Sequence, residues 1–229
     1  MKLYIGNKLY SSWSLRAWLL MAAFDLAFDE TIIPLDEADT AQRIQAVSAA
    51  GRVPVLVDGD IKVWESLAIA EYLHDKFPGK GIWPLDLAAR AHARATSSEM
   101  HAGFMAIRSA CPMNLGKRYA TRHRGDDVAA DVARIEAVWR DARSAFGTAT
   151  GKPFLYGDFC AADAMYAPVA TRLDTYNIAV DSDTRAYIDA ILAHPAFITW
   201  KQAALQETWI VPSDEVDEEA IENYRPHLA

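Results

Sequence analysis

Three short segments place polar side chains where a helix is about to begin. Tyr10-Ser11-Ser12-Trp13-Ser14 stands between an apolar run and an amphipathic stretch. The first amides of a helix are unpaired and partly positive. A hydroxyl beside them either caps the helix or donates, with them, to an anion such as a thiolate. No cysteine occupies this turn, which excludes disulfide exchange there. Cys111 and Cys160 lie far along the chain without CxxC spacing and read as two free, buried thiols. The second segment, Gly51-Arg52-Val53-Pro54, leads into an apolar run. Its proline either starts a strand in trans or, in cis, turns the Val53 N–H and C=O away from the sheet toward an extended peptide. The third is Trp64-Glu65-Ser66. Ser66 is a good N-cap, the amides beyond it attract a carboxylate, and Glu65 can pair with an ammonium. That turn either caps a helix or holds both ends of an α-amino acid zwitterion.

The elements around these segments follow from periodicity. Lys2–Ile5 predicts a strand. Leu15, Trp18, Leu19 and Ala22 fall at i, i+3, i+4, i+7 on one helix face, and Phe28–Leu35 carries a β-branched strand signal. Thr40–Ala50 is weakly helical. Asp58-Gly59-Asp60 between Pro54–Val57 and Ile61–Trp64 predicts a hairpin, and Ser66–Phe77 is helical again. Strand-helix-strand implies a right-handed parallel crossover, and the hairpin adds an antiparallel pair. The order β-α-β-α-β-β-α is that of an α/β thioredoxin-like domain, expected over residues 1–78. Pro78, Gly79, Gly81 and Pro84 predict a linker at 79–86. Residues 87–229 read as an all-α domain. Its expected helices are Ala88–Cys111, a stripe from Val128 to Phe146, Ala162–Tyr176, Thr184–Ala193 and Pro195–Gln206, with a loosely held acidic tail after Pro212.

Composition narrows the partners. The 229 residues are 52% apolar and 24% charged, enough for a buried core. The net charge of −8, with no dense Lys/Arg run, argues against a nucleic-acid partner. The opening Met-Lys-Leu-Tyr-Ile-Gly lacks the apolar core of a secretory signal. The stretch Ala17 to Phe24 is far short of a ~20-residue membrane span, so a cytoplasmic chain with no membrane partner is expected. The histidines fit no i, i+4 ligand pair, and no metal is expected.

Taken in order, SSWSLR, GRVPVLVDGD with VWESLAIAEYL, and GDFCAADAMYAPV resemble the cytosolic glutathione S-transferase family in its bacterial, serine-type form, with a zeta- or tau-like first turn. The resemblance implies glutathione as co-substrate. Glu65 and Ser66 would hold its γ-glutamyl end, the Val53 backbone beside a cis Pro54 its cysteinyl unit, and Arg52 its glycyl carboxylate. Trp13 would line the same site. Aligning Arg16 places the activating hydroxyl at Ser11, with Ser12 and then Tyr10 behind it. The implied activity is attack of the glutathione thiolate on a small hydrophobic electrophile. The alternative is a non-catalytic protein that binds glutathione and apolar ligands. Zeta enzymes carry Cys inside this turn, where Trp13 stands, and usually Gln-Ser at Glu65-Ser66, which moves the expectation away from maleylacetoacetate isomerisation. Met105, Arg108, Met113 and Trp209 are the expected second-substrate residues, with core packing the rival role for the methionines. Cys160 replaces the family's usual hydroxyl cap while Asp163 remains, so a weaker helix start is expected there. A homodimer is implied by resemblance.

Overall fold

The computed structural model describes residues 1–225. Strand β1 (Lys2–Ile5) leads into helix α1 (Ser12–Ala23), then β2 (Asp29–Ile32), the short α2 (Thr40–Gln45), β3 (Val55–Asp58), β4 (Ile61–Trp64) and α3 (Ser66–Lys76). The sheet order is β2-β1-β3-β4. β1 runs parallel to β2, with Tyr4 opposite Thr31, and antiparallel to β3, with Leu3 opposite Leu56. Gly59, at φ +60, makes the two-residue turn between Asp58 and Ile61, a backbone state that glycine enters without a Cβ clash. This is the thioredoxin-like arrangement. α1 is buried nearly all round rather than on one stripe, because α3 and the later helices Ala161–Thr175 and Pro195–Ala204 pack around it.

The connection to the helical region is anchored rather than loose. Ile82 and Trp83 are both fully buried, and the Ile82 carbonyl accepts the Ala161 N–H at 2.8 Å. The single long helix expected over Ala88–Cys111 is two: α4 (Leu87–Ala102) and α5 (Met105–Ala110). The break has a local cause. A Cβ at Gly103 would lie 2.9 Å from the Glu99 carbonyl oxygen, and Phe104 takes a left-handed φ of 58°. Beyond β5 (Lys117–Tyr119) come α6 (Asp126–Ala142), α7 (Ala161–Thr175), α8 (Ser182–Leu192), α9 (Pro195–Ala204) with Pro195 in its first turn, and β6 (Ala220–Asn223).

The region is helical, as expected, with one short two-stranded ribbon added, and the expectation of a loose tail is corrected here. β6 pairs antiparallel with β5, and the acidic tail is docked. Glu215 accepts from Tyr10 (2.6 Å), Asn114 (3.1 Å) and Lys117 (2.6 Å), while Arg122 and Arg124 grip Glu218 at 2.6 and 2.9 Å. At the centre α7 is buried along almost its whole length and packs on α1, α4 and α8. Its start is stronger than the thiol at Cys160 suggests. Asp163 accepts the Cys160 N–H at 2.9 Å, the Leu155 N–H at 3.1 Å and the Tyr187 hydroxyl at 2.9 Å. Cys111 and Cys160 are free and buried, as expected. Among the described residues, no helix is long and apolar enough to cross a membrane.

Candidate active site

The loop from β1 to α1 closes as one turn: the Tyr10 and Ser11 amides donate to the Asn7 carbonyl at 3.3 and 2.8 Å. Ser11 is the N-cap of α1. Its oxygen accepts the Ser14 N–H at 3.4 Å and its hydroxyl donates to Ser14 Oγ at 2.8 Å. Ser14 Oγ in turn accepts the Gly6 N–H at 2.9 Å. Ser12 opens the helix, and its oxygen accepts from Arg172 Nη2 at 3.3 Å, which leaves its own proton free. Tyr10 is differently engaged. Its hydroxyl donates to Glu215, and burial together with that bond holds the phenol well above its ordinary pKa. It is a poor source of a proton for a thiolate.

Opposite this turn, the Val53–Pro54 bond is cis. Among the described residues, no turn, loop or cap hydrogen bond uses the Val53 N–H or C=O. Arg52 is exposed beside it, with its own N–H on Ser48 Oγ at 3.3 Å. The third segment differs from expectation in one respect: Glu65, not Ser66, is the N-cap of α3, and its side chain caps nothing. Glu65 sits at φ 68°, a left-handed state that a non-glycine residue keeps at a cost and chiefly at functional positions. Ser66 is the buried first helical residue, its hydroxyl on Met165 Sδ at 3.8 Å. The first amides of α3 therefore lack a side-chain cap. The Glu65 carboxylate lies 3.6 Å from His101 Nε2.

Helix α7 joins these parts and adds charge. Arg16 of α1 is 2% exposed and donates from Nε to the Met165 carbonyl at 2.9 Å. Its two terminal nitrogens are buried without a partner among the described residues. Arg172 of α7 bonds the Cys111 and Pro168 carbonyls at 2.8 and 3.2 Å as well as Ser12. Arg108 of α5 bonds the His101 and Gly103 carbonyls at 3.3 and 3.2 Å. Every one of these partners is uncharged. The Trp13 indole has the Arg16 guanidinium 4.3 Å and the Arg108 guanidinium 4.5 Å from its ring centre, with His101 edge-on at 5.1 Å. Burial first, and then mutual repulsion, pull Arg16 well below its ordinary pKa and Arg172 down to about 10. Burial likewise lowers Arg108 and His101. The Asp214 carboxylate partly offsets Arg172, whereas Arg16 and Arg108 bond only to carbonyls.

Residues 10–76 match the family model for the glutathione S-transferase N-terminal domain. The fold of the whole chain agrees with it. A glutathione transferase homolog from Burkholderia, solved with bound glutathione, superposes with a TM-score of 0.69 over 90% of this chain and 98% of its own, at 22% identity. Residues 10–76 thus carry a glutathione S-transferase N-terminal domain, and the chain has the glutathione transferase fold. Among relatives, the dichloromethane dehalogenase of Methylorubrum extorquens is 38% identical over 65 residues, 28% of this chain. The match spans only 23% of that protein's length. The maleylacetoacetate isomerase of Pseudomonas aeruginosa is 26% identical over 207 residues, 86% of this chain and 93% of its own.

The second-substrate residues that the resemblance implies differ in exposure. Arg108 is half-buried beside Trp13, while Met105, at the start of α5, is 61% exposed. Met113 is 1% exposed in the core, so its role is packing and it cannot line an open pocket. Trp209 is half-buried just past Glu207, on the segment after α9. Sequence reasoning names Ser14 only as a candidate cap and does not single out Arg172 or Glu207, all of which bear on the site. For Arg172 a signal exists: an arginine inside the apolar run of α7 is a charge in a helix that has no solvent face.

Proposed function

We propose that this protein is a glutathione S-transferase that activates the glutathione thiol at Ser11 and conjugates it to an electrophile carrying a carboxylate or similar anion. The single observation that carries the assignment is the α3 start. It offers unpaired amides behind a left-handed Glu65, braced through Met165 against the same helix that braces Arg16. The amides at Ser66 suit the γ-glutamyl carboxylate, Glu65 its ammonium, the unused Val53 backbone the cysteinyl unit and Arg52 the glycyl carboxylate. The glutathione bound in the Burkholderia homolog supports that occupant.

Activation is a matter of acidity. A thiol of pKa ~8.5 is mostly protonated at neutral pH, and lowering it by about two units takes ~2.7 kcal/mol of preferential thiolate stabilisation. A charge-assisted hydroxyl donor supplies roughly 1.5–3 kcal/mol, and the N-terminus of α1 adds to it. Ser11 can turn its proton to the thiolate while Ser14 turns its own to Ser11. Ser14 Oγ keeps the Gly6 amide, so no heavy atom moves. The thiolate then forms a C–S bond to the electrophilic carbon, which releases a leaving group or passes its electron pair to an adjoining acceptor. Trp13, standing where zeta enzymes carry Cys, supports conjugation over the isomerisation named for the Pseudomonas relative. The homodimer belongs to the same proposal, with Ile61 and Trp64 of the edge strand β4, 50% and 43% exposed, as surface for it.

The three arginines set the electrophile. Arg108→Met is expected to lower kcat/KM at least tenfold for a carboxylate-bearing aryl halide. Turnover of its neutral analogue should stay within twofold. Equal losses on both substrates would refute the anion preference.

A further inference from the structure

The segment after α9 returns across the molecule to the loop that precedes Ser11. Glu207 is 7% exposed, and its two carboxylate oxygens accept the Lys8 and Leu9 amides at 2.7 and 3.0 Å. Two further groups hold the same residues. The Trp200 indole N–H donates to the Lys8 carbonyl at 2.9 Å, and the Leu115 amide donates to the Leu9 carbonyl at 3.3 Å. Arg225 fixes the Glu207 backbone by donating to its carbonyl. Lys8 and Leu9, with Tyr10, are the residues enclosed by the turn that runs from the Asn7 carbonyl to the Ser11 amide. With both amides pinned, that turn has one orientation, and Ser11 Oγ is carried on its end.

The residue type fits the task. Two adjacent buried N–H groups need two acceptors, which a carboxylate provides. A carboxamide offers one oxygen, and its NH₂ would face an amide donor. Burial raises the Glu207 pKa above the ordinary carboxylate range, and the two amides, with the Lys8 and Arg225 charges, offset part of that rise.

We propose that Glu207 is the positioning residue of the thiol-activating turn, holding the Lys8–Leu9 amides so that Ser11 meets the bound thiol at donor distance. The inference rests on the assignment of Ser11 as the activating hydroxyl. Its structural half is tested apart from that assignment by amide exchange in Glu207→Gln. Exchange across residues 7–12 should quicken at least tenfold, with the β3–β4 hairpin unchanged.

The chemical half is read from bound glutathione. Glu207→Gln should bind it within twofold of wild type, because Val53, Glu65 and Ser66 are untouched, yet raise the pKa of the bound thiol by about one unit. The rate loss, about fivefold at pH 6.5, should shrink as pH rises above the new pKa. If exchange and thiol pKa are both unchanged in a folded Glu207→Gln, the proposal is wrong. If exchange quickens but wild type itself never lowers the thiol pKa, the Ser11 assignment fails and Glu207 is left as an anchor of the fold. Should Glu207→Gln not fold, Trp200→Phe removes the donor to the Lys8 carbonyl and keeps an aromatic ring against Trp18. It is expected to raise the thiol pKa by a smaller amount, and no change there overturns the proposal.

Discussion

Replacing Asp163 with alanine should cost about 4 kcal/mol of stability, close to what a domain of this kind can lose before it unfolds. The carboxylate is fully buried and is the acceptor for three donors that are themselves buried: the Leu155 amide, the Cys160 amide and the Tyr187 hydroxyl. Each abandoned donor costs about 1–3 kcal/mol, partly offset because the buried charge is removed with them. The pH dependence follows from the same burial. Desolvation raises Asp163 to about 6 despite its hydrogen bonds. The folded state then holds this proton more tightly than the unfolded chain, so the residue's contribution to stability falls as pH climbs from about 4 to about 6. Asp181 behaves oppositely. Its bond from the Thr184 amide and its pairing with Arg140 pull it to about 2, and its contribution disappears only as pH falls toward that value. Chemical denaturation of wild type and Asp163→Ala at pH 4.5 and 7 checks both points. The gap between the two proteins should be wider at pH 4.5. A variant within 1 kcal/mol of wild type at both pH values would show that the Asp163 bonds do not hold the start of α7.

Ser11→Ala should reduce conjugation roughly tenfold to a hundredfold at neutral pH. That range is the rate equivalent of losing one charge-assisted hydrogen bond of about 1.5–3 kcal/mol. The loss should fall on kcat, with glutathione affinity kept, since the γ-glutamyl and cysteinyl contacts lie on other segments. Steady-state rates at varied glutathione separate the two. Ser12→Ala is expected to do less to the thiol, because its recorded bond is to Arg172, and more to an anionic electrophile. If Ser12→Ala removed the activity and Ser11→Ala left it intact, the two hydroxyls would exchange roles.

Much of the first domain is legible in the sequence because its signals are local. β1 and the hairpin strand β4 fall where their apolar runs lie, and Asp58-Gly59-Asp60 marks the turn. Gly103 marks a helix break that periodicity hides, since the apolar pattern continues on both sides of it. The β5–β6 ribbon escapes detection because Lys-Arg-Tyr and Ala-Ile-Glu-Asn carry no apolar alternation of useful length. The tail misleads by composition. Glu215 and Glu218 lie in the stretch read as loosely held, yet each one accepts hydrogen bonds from residues distant in the chain. The site is legible in part for the same reason. Ser11, Val53-Pro54 and Glu65-Ser66 sit at element boundaries where sequence speaks clearly, while the cluster of Arg16, Arg108 and Arg172 comes from three helices and exists only once they pack.

The most direct test of the central claim is a pH titration of glutathione thiolate absorbance with the purified protein. Binding is expected with the thiol pKa drawn about two units below its free value of ~8.5, and with a return most of the way in Ser11→Ala. Glutathione bound with an unshifted thiol would contradict it and leave a carrier of the same fold. No binding at all would remove glutathione from the site.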